Sequence, residues 1–135
     1  MLLGPAGMTT ALAGLTIQSP SGTTLSGNIQ VDGGGTVDLR QAGSILLSGG
    51  IQIDTDLPGG ITNAGSVLFE PAPVDALVAG GQSLSIDVRS DGGLDGSVNL
   101  GLIGATTRLG GLTVRAHNGA INLFGAILTQ PGAGG

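Results

Sequence analysis

Asp54-Thr55-Asp56 places two carboxylates on either side of a hydroxyl, and Asp91 and Asp95 bracket Gly92-Gly93-Leu94. Carboxylates beside glycine turns hold Ca²⁺ in β-rolls, where a Gly-Gly-x-Gly-x-Asp pattern recurs about every nine residues. Here "DGGGTVDL" (32–39) and "DGGLDG" (91–96) follow that pattern only loosely and do not recur at its spacing. These aspartates therefore read as exposed turn residues that aid solubility. Paired carboxylates also serve polysaccharide hydrolysis. However, Glu70 is the only Glu, and Trp and Tyr, on which a sugar would be expected to stack, are absent. His117 is the only histidine and lies beside Asn118-Gly119 at a predicted corner. With one His and no Cys, nucleophilic catalysis has little to work with. Thr9-Thr10, Thr23-Thr24 and Thr106-Thr107 form no Thr-x-Thr ladder of the ice-binding kind. The expectation is a protein that is not an enzyme, with no catalytic, binding or metal-ligating residue assigned and no cofactor.

The elements that carry these residues must be built from an unusual mixture. Of 135 residues, 28 are Gly, 40% are hydrophobic, and Phe69 and Phe124 are the only aromatics. The core must therefore consist of Leu, Ile, Val and Ala in thin layers, which suits a narrow stacked object. Four Arg face nine acids, and the net charge is −5. That balance argues against nucleic acid and against an anionic membrane surface. No cysteine means no disulfide framework and no thiolate zinc site. The opening "MLLGPAGMTTALAGL" has no basic region, and Pro5 interrupts its apolar run, so it reads as part of the fold and not as a signal peptide. No stretch of about 18 apolar residues offers a membrane span.

The chain repeats itself. "LGPAGMTTALAGLTI" (3–17) and "LGLIGATTRLGGLTV" (100–114) agree at nine of fifteen positions, 97 residues apart. The likeness continues after a one-residue slip, in "LSGNI" (25–29) and "LFGAI" (123–127). A shorter beat lies inside. "GSILLSGGIQI" (43–53) and "GAINLFGAILT" (119–129) share Gly-x-Ile-x-Leu-x-Gly-x-Ile, while "GSVLF" (65–69) and "GSVNL" (96–100) begin alike. Taking Gly22, Gly43, Gly65, Gly96 and Gly119 as starting points gives intervals of 21, 22, 31 and 23 residues. The long repeat then reads as four short ones, with an insertion of about nine residues in one of them.

The short unit has strand character. Apolar residues alternate with others along 45–53, the period of a strand with one buried face. A second strand type recurs as Leu15-Thr16-Ile17, Val37-Asp38-Leu39, Leu84-Ser85-Ile86 and Leu112-Thr113-Val114. Gly, Asn, Asp and Ser at 32–35, 56–60, 90–93 and 117–119 make the corners. No helical pattern stands out. A unit of two or three short strands cannot bury its inner face alone, whereas stacked copies can. The predicted fold is all-β: a right-handed parallel β-helix, or β-solenoid, of about six coils of ~22 residues. It forms a single module over 1–135 in which the 97-residue repeat spans four coils plus the start of the next. Ile45, Leu47, Ile51, Val67, Val98, Leu100, Ile121 and Leu123 are expected on the inner face. An antiparallel β-sandwich is the rival, but it gives no reason for the long repeat.

At "GAINLFGAI", "GSILLSGGIQIDTD" and "TTRLGGLTV" the chain resembles the repeat regions of very large secreted bacterial surface proteins, the filamentous-haemagglutinin-like adhesins and autotransporter-like passengers. The resemblance covers nearly the whole chain. It implies the right hand of the β-helix and a place outside the cell or on its surface. The expected function is a structural or adhesive repeat module acting as a stiff rod or spacer. The alternative is a self-assembling fibre subunit that stacks head-to-tail.

Two segments stand apart. "EPAPVDALVAGGQ" (70–82) carries Pro71 and Pro73, which disfavour a regular central strand, and is expected to leave the rod as a loop. The strand near 121–129, including Ile127, is expected to present an open edge, since no cap is recognisable in "QPGAGG". Its partners would be neighbouring repeats or another copy of the chain.

Overall fold

The computed structural model describes residues 1–58 and 62–132. Part of the predicted 56–60 turn and the end of the C-terminal tail lie outside the described residues. Among those described, all regular structure is β, there is no helix, and every strand pair is parallel.

The strands form three sheets. The first stacks β1 (Leu2–Leu3), β3 (Thr23–Leu25), β6 (Ile45–Leu47) and β9 (Val74–Ala76). The second stacks β4 (Ile29–Gln30), β7 (Ile51–Asp54), β10 (Ser83–Asp87) and β12 (Gly111–Arg115). The third stacks β2 (Leu15–Gln18), β5 (Val37–Gln41), β8 (Val67–Leu68), β11 (Val98–Leu100) and β13 (Ile121–Leu123). The chain visits the first, second and third sheets in turn and then repeats the cycle, so each return adds the next strand. Single parallel pairs extend the ladders where a strand is too short to form: Ala6 with Ile29, and Ile103 with both Val74 and Ile127.

Period-two alternation explains the core. In β7, Ile51 and Ile53 are buried while Gln52 is exposed, and β6 and β11 alternate in the same way. Like residues then stack in register. Ile29, Ile53, Ile86 and Val114 form one column, and Leu15, Val37, Val67, Val98 and Ile121 another. One continuous cluster of aliphatic side chains with a fully buried Phe69 results. Each fully buried aliphatic stabilises the fold by about 1.5–3 kcal/mol.

A glycine column fixes one corner. At Gly65 a Cβ would lie 1.7 Å from the Gly35 carbonyl oxygen, at Gly96 1.9 Å from that of Gly65, and at Gly119 1.8 Å from that of Gly96. Only hydrogen fits where each rung rests on the glycine of the rung before, just ahead of the third sheet. The beat from Gly65 to Gly96 to Gly119 is thus a true stack. Its earlier member is Gly35, however, not Gly43. Gly22 and Gly43 precede strands of the first sheet, and both have left-handed backbone, at φ 108° and 69°.

The long repeat also needs correction. Leu15 pairs with Val37 in the third sheet, whereas Leu112 pairs with Leu84 in the second, so the two copies are not stacked equivalents. They share a local shape instead. Ala6 and Leu12 pair with Ile29 and Val31 of the following rung, and Ile103 and Leu109 pair with Ile127 and Thr129. Gly7 and Gly104 are both left-handed, at φ 78° and 69°, and each packs against a carbonyl of the next rung. The same bend therefore serves two different corners. The second strand type divides likewise between two sheets.

Six of the eight expected inner residues are buried. Ile121 and Leu123 occupy inward register positions but are 44% and 57% exposed, because no described strand of the third sheet lies beyond β13. The predicted loop at 70–82 is shorter than expected. Ala72, Val74 and Ala76 are buried and β9 is an integral strand, so only 77–82 stands out as a turn. Pro71 and Pro73 precede β9 and leave its ladder bonds intact. The connections 55–66 and 88–97, both between the second and third sheets, are longer than 31–36 and 116–120, which link the same two sheets in other rungs.

Candidate functional site

Those long connections stack into a corner that gathers most of the polar residues singled out above. A cleft of about 240 Å³ opens there, lined by Asp54, Asp56, Asp87, Arg89, Asp91 and His117. The second sheet delivers its first pair: Asp54 ends β7 and Asp87 ends β10, in register, with Gln30 before them and Arg115 after. Strand alternation turns this whole row outward.

Asp87 and Arg89 form a two-pronged ion pair, with Arg89 Nε and Nη2 donating at 2.8 and 2.5 Å, while the Arg89 backbone N–H donates to the same carboxylate at 3.1 Å. Arg89 holds the Asp87 carboxyl below its ordinary range. Asp38 and Arg40 repeat the device in β5, with Nε and Nη2 donating at 3.0 and 2.7 Å. There too the Arg40 guanidinium lowers the carboxyl's pKa. Sequence reasoning missed both pairs. The signal was "DLR" and "DVR": on a strand, residues two apart lie on one face. Asp54 behaves oppositely. Burial pushes its pKa up, and the neighbouring Asp87 and Asp56 charges add to the effect.

The other carboxylates serve backbone. Asp56, nearly buried, accepts the Asp91 N–H of the next rung at 2.8 Å. Thr62 Oγ1 lies 3.1 Å from both Asp56 Oδ1 and Asp32 Oδ1 and gives its single proton to one of them. Asp95 accepts the Ser90 N–H and, from the next rung, the Asn118 N–H, each at 2.7 Å. The Asn118 and Ser90 N–H groups hold its carboxyl below the ordinary range. His117 is largely exposed, with Nδ1 3.8 Å from Asp95. The rule extends beyond the cleft. Asn28 accepts the Gln52 N–H, Asn63 that of Leu94, Ser66 that of Ser97, and Asp75 those of Thr106 and Thr107. In each case a side-chain oxygen of one rung receives an N–H of the following rung.

This arrangement is a set of rung-to-rung clamps. Among the described residues, no group of three or more His, Cys, Asp or Glu is placed to hold a metal ion. Glu70 lies outside the cleft, beside Pro71. The three Thr pairs share no row: Thr9, Thr10 and Thr106 are exposed and Thr23 is buried. No helix among the described residues is long and apolar enough to cross a membrane. Comparison with protein-family models, curated proteins and solved structures finds no match to this chain.

Proposed function

We propose that the chain is a structural module: a right-handed parallel β-solenoid of about six coils, acting as a stiff rod or spacer within a secreted or surface-exposed bacterial protein of the adhesin kind. One observation carries this reading. Asp56, Asp75 and Asp95 accept backbone N–H groups of adjoining rungs, and Asp38 and Asp87 are held by arginine. Such groups stiffen the stack and are poorly placed to turn over a substrate. The cyclic order of three parallel sheets supports the solenoid, since the three complete circuits β3–β5, β6–β8 and β9–β11 each add one strand to every sheet. Cross-strand NMR contacts in solution between the register partners Val67 and Val98, and Ile53 and Ile86, test the proposal. Contacts in parallel register are expected. Antiparallel pairing of these strands would overturn it.

The alternative reading, a self-assembling fibre subunit, draws on a separate observation, the exposed Ile121 and Leu123 of β13.

A further inference from the structure

We propose that Asn118 is a site of spontaneous covalent modification, where the Gly119 backbone nitrogen closes on the Asn118 side-chain amide to give a succinimide that water opens to aspartate and isoaspartate.

Ring closure makes three demands. The nitrogen of the following residue must reach the side-chain carbonyl carbon, which is easiest where that residue has no Cβ. Its N–H must not be held by an acceptor, and the amide must not be engaged elsewhere. The chain has five Asn, at 28, 63, 99, 118 and 122. Ile29, Ala64, Leu100 and Leu123 follow four of them, and only Asn118 precedes a glycine.

The fold explains that glycine and frees its nitrogen. Gly119 belongs to the glycine column, where a Cβ would lie 1.8 Å from the Gly96 carbonyl oxygen, so no side chain can shield Asn118 from this direction. Members of the column differ in what their nitrogens do. The Gly35 N–H donates to the Asp32 carbonyl, that of Gly65 to Thr55 and that of Gly96 to Val88. Among the described residues, the Gly119 N–H has no acceptor.

The amide is free as well. Asn28 Oδ1 accepts the Gln52 N–H, Asn63 Oδ1 accepts the Leu94 N–H, and Asn122 Nδ2 donates to Asn99 Oδ1. Asn118 is exposed, and among the described residues only its backbone N–H is held, by Asp95. Asp95-Gly96 occupies the same place one rung earlier and gives the contrast. There the side chain is a carboxylate that accepts two N–H groups, and the Gly96 nitrogen is occupied. Equivalent dipeptides are locked in one rung and open in the next.

In the reaction, the Gly119 nitrogen bonds to Asn118 Cγ and gives up its proton, while the Cγ–Nδ2 bond breaks and ammonia leaves. Water then adds to one of the two ring carbonyls. Attack at Cγ yields aspartate with the main chain restored. Attack at the backbone carbonyl yields isoaspartate, which adds a methylene to the main chain ahead of β13. Either product sets a second carboxylate beside Asp95, where like charges repel.

To test this, the purified full chain is held at mildly alkaline pH and cleaved after arginine, and the peptide that follows Arg115 is sequenced by mass spectrometry. Amide-to-acid conversion is expected at Asn118 while Asn28, Asn63, Asn99 and Asn122 remain amides, with ammonia release levelling off at a single equivalent per chain. Enzymatic methylation specific for isoaspartate should label the same peptide. Asn118→Gln must close a larger ring. It should keep the circular dichroism and melting of the native chain, because the side chain is exposed, and should lose both the ammonia release and the label. Persistence of the Asn118 amide, conversion of Asn122 as fast as Asn118, or undiminished ammonia release from the Asn118→Gln chain would each overturn the proposal.

Discussion

Asp54 and Asp87 close adjacent parallel strands and are register partners, so two carboxylates stand side by side on the outer face of the second sheet. Like charges in this relation destabilise. The two respond differently because Arg89 grips Asp87 and leaves Asp54 to its burial. Asp54 carries a raised pKa in the fold. Its favourable contribution is therefore complete below the pKa of the unfolded chain and is lost as pH rises through the folded value. Asp54→Asn should stabilise the protein at neutral pH by about 0.5 kcal/mol, the scale of one cross-strand contact. An amide oxygen at this position can still accept the Asp56 N–H. The gain should vanish in acid, where native Asp54 is protonated. Thermal melts of both chains across the carboxylate range measure this, and a gain independent of pH would refute the assignment.

Asp87, Asp38 and Asp95 have lowered pKa values and the opposite sign. Their contribution is present above the ordinary carboxylate range and is lost as pH falls through the folded values. Arg89→Ala should raise the pKa of Asp87, lower the stability of the fold at neutral pH and flatten its loss of stability in acid. Titration of the Asp87 carboxyl by NMR reads the first of these directly.

Asp56 tests the clamps. It is nearly buried, and its carboxylate serves Asp91 N–H and Thr62 Oγ1. Asp56→Ala leaves that N–H without its acceptor and should destabilise by about 1–3 kcal/mol. Hydrogen exchange should accelerate at the Asp91 amide while the amides of β7 and β10 keep their protection. Uniform loss of protection would mean that Asp56 supports the whole stack instead of one corner.

Much of this architecture is legible in the sequence, and the failures share one cause. Alternation along 45–53 and the Gly-x-Val beat at 65–69 and 96–100 give strands, corners and parallel stacking correctly. Which sheet a segment joins is not legible. Leu15-Thr16-Ile17 and Leu112-Thr113-Val114 are nearly one sequence in two sheets, because the second and third sheets both accept a strand with two aliphatics inward and a polar residue outward. The motif specifies a bend followed by a strand, and chain length between copies decides the face. Burial at a stack's end is equally hidden, since Val98 and Ile121 sit in one column and differ only in whether a further rung covers them. Of the charged corner, the sequence displays Asp-x-Arg on a strand, but the clamp from Asp56 to Asp91 spans 35 residues and carries no local mark.

That contrast within columns predicts unequal mutational cost. Ile53 is fully buried between Ile29 and Ile86, and Ile53→Ala should destabilise by about 2–5 kcal/mol. Ile121→Ala removes the same atoms from a half-exposed site and should cost well under half as much in the monomer. Denaturant melts at low protein concentration measure both, and equal costs would show that Ile121 is covered in solution.

The glycine column makes the sharpest demand on a single position. Gly65 rests on Gly35 and in turn carries Gly96, with the hypothetical Cβ contacts falling at 1.7 and 1.9 Å from backbone oxygens. Neither contact can be relieved by rotating a side chain, because the obstructing atoms are carbonyls. Conformational freedom is not the issue, since Gly65 is not among the residues with left-handed backbone. Gly65→Ala must therefore separate two rungs at the head of β8, breaking the neighbouring ladder bonds to β5 and loosening the buried column at Val67. A loss of about 3 kcal/mol or more is expected, at the upper end of overpacking. Gly49→Ala is the matched control: no heavy atom lies within 4 Å of its would-be Cβ, and its backbone is not left-handed. Replacing a glycine there should leave stability unchanged or raise it by about 0.4–1 kcal/mol through the unfolded chain. Equal destabilisation by the two substitutions, read from paired urea melts, would mean that the rungs at Gly65 are not in contact as described.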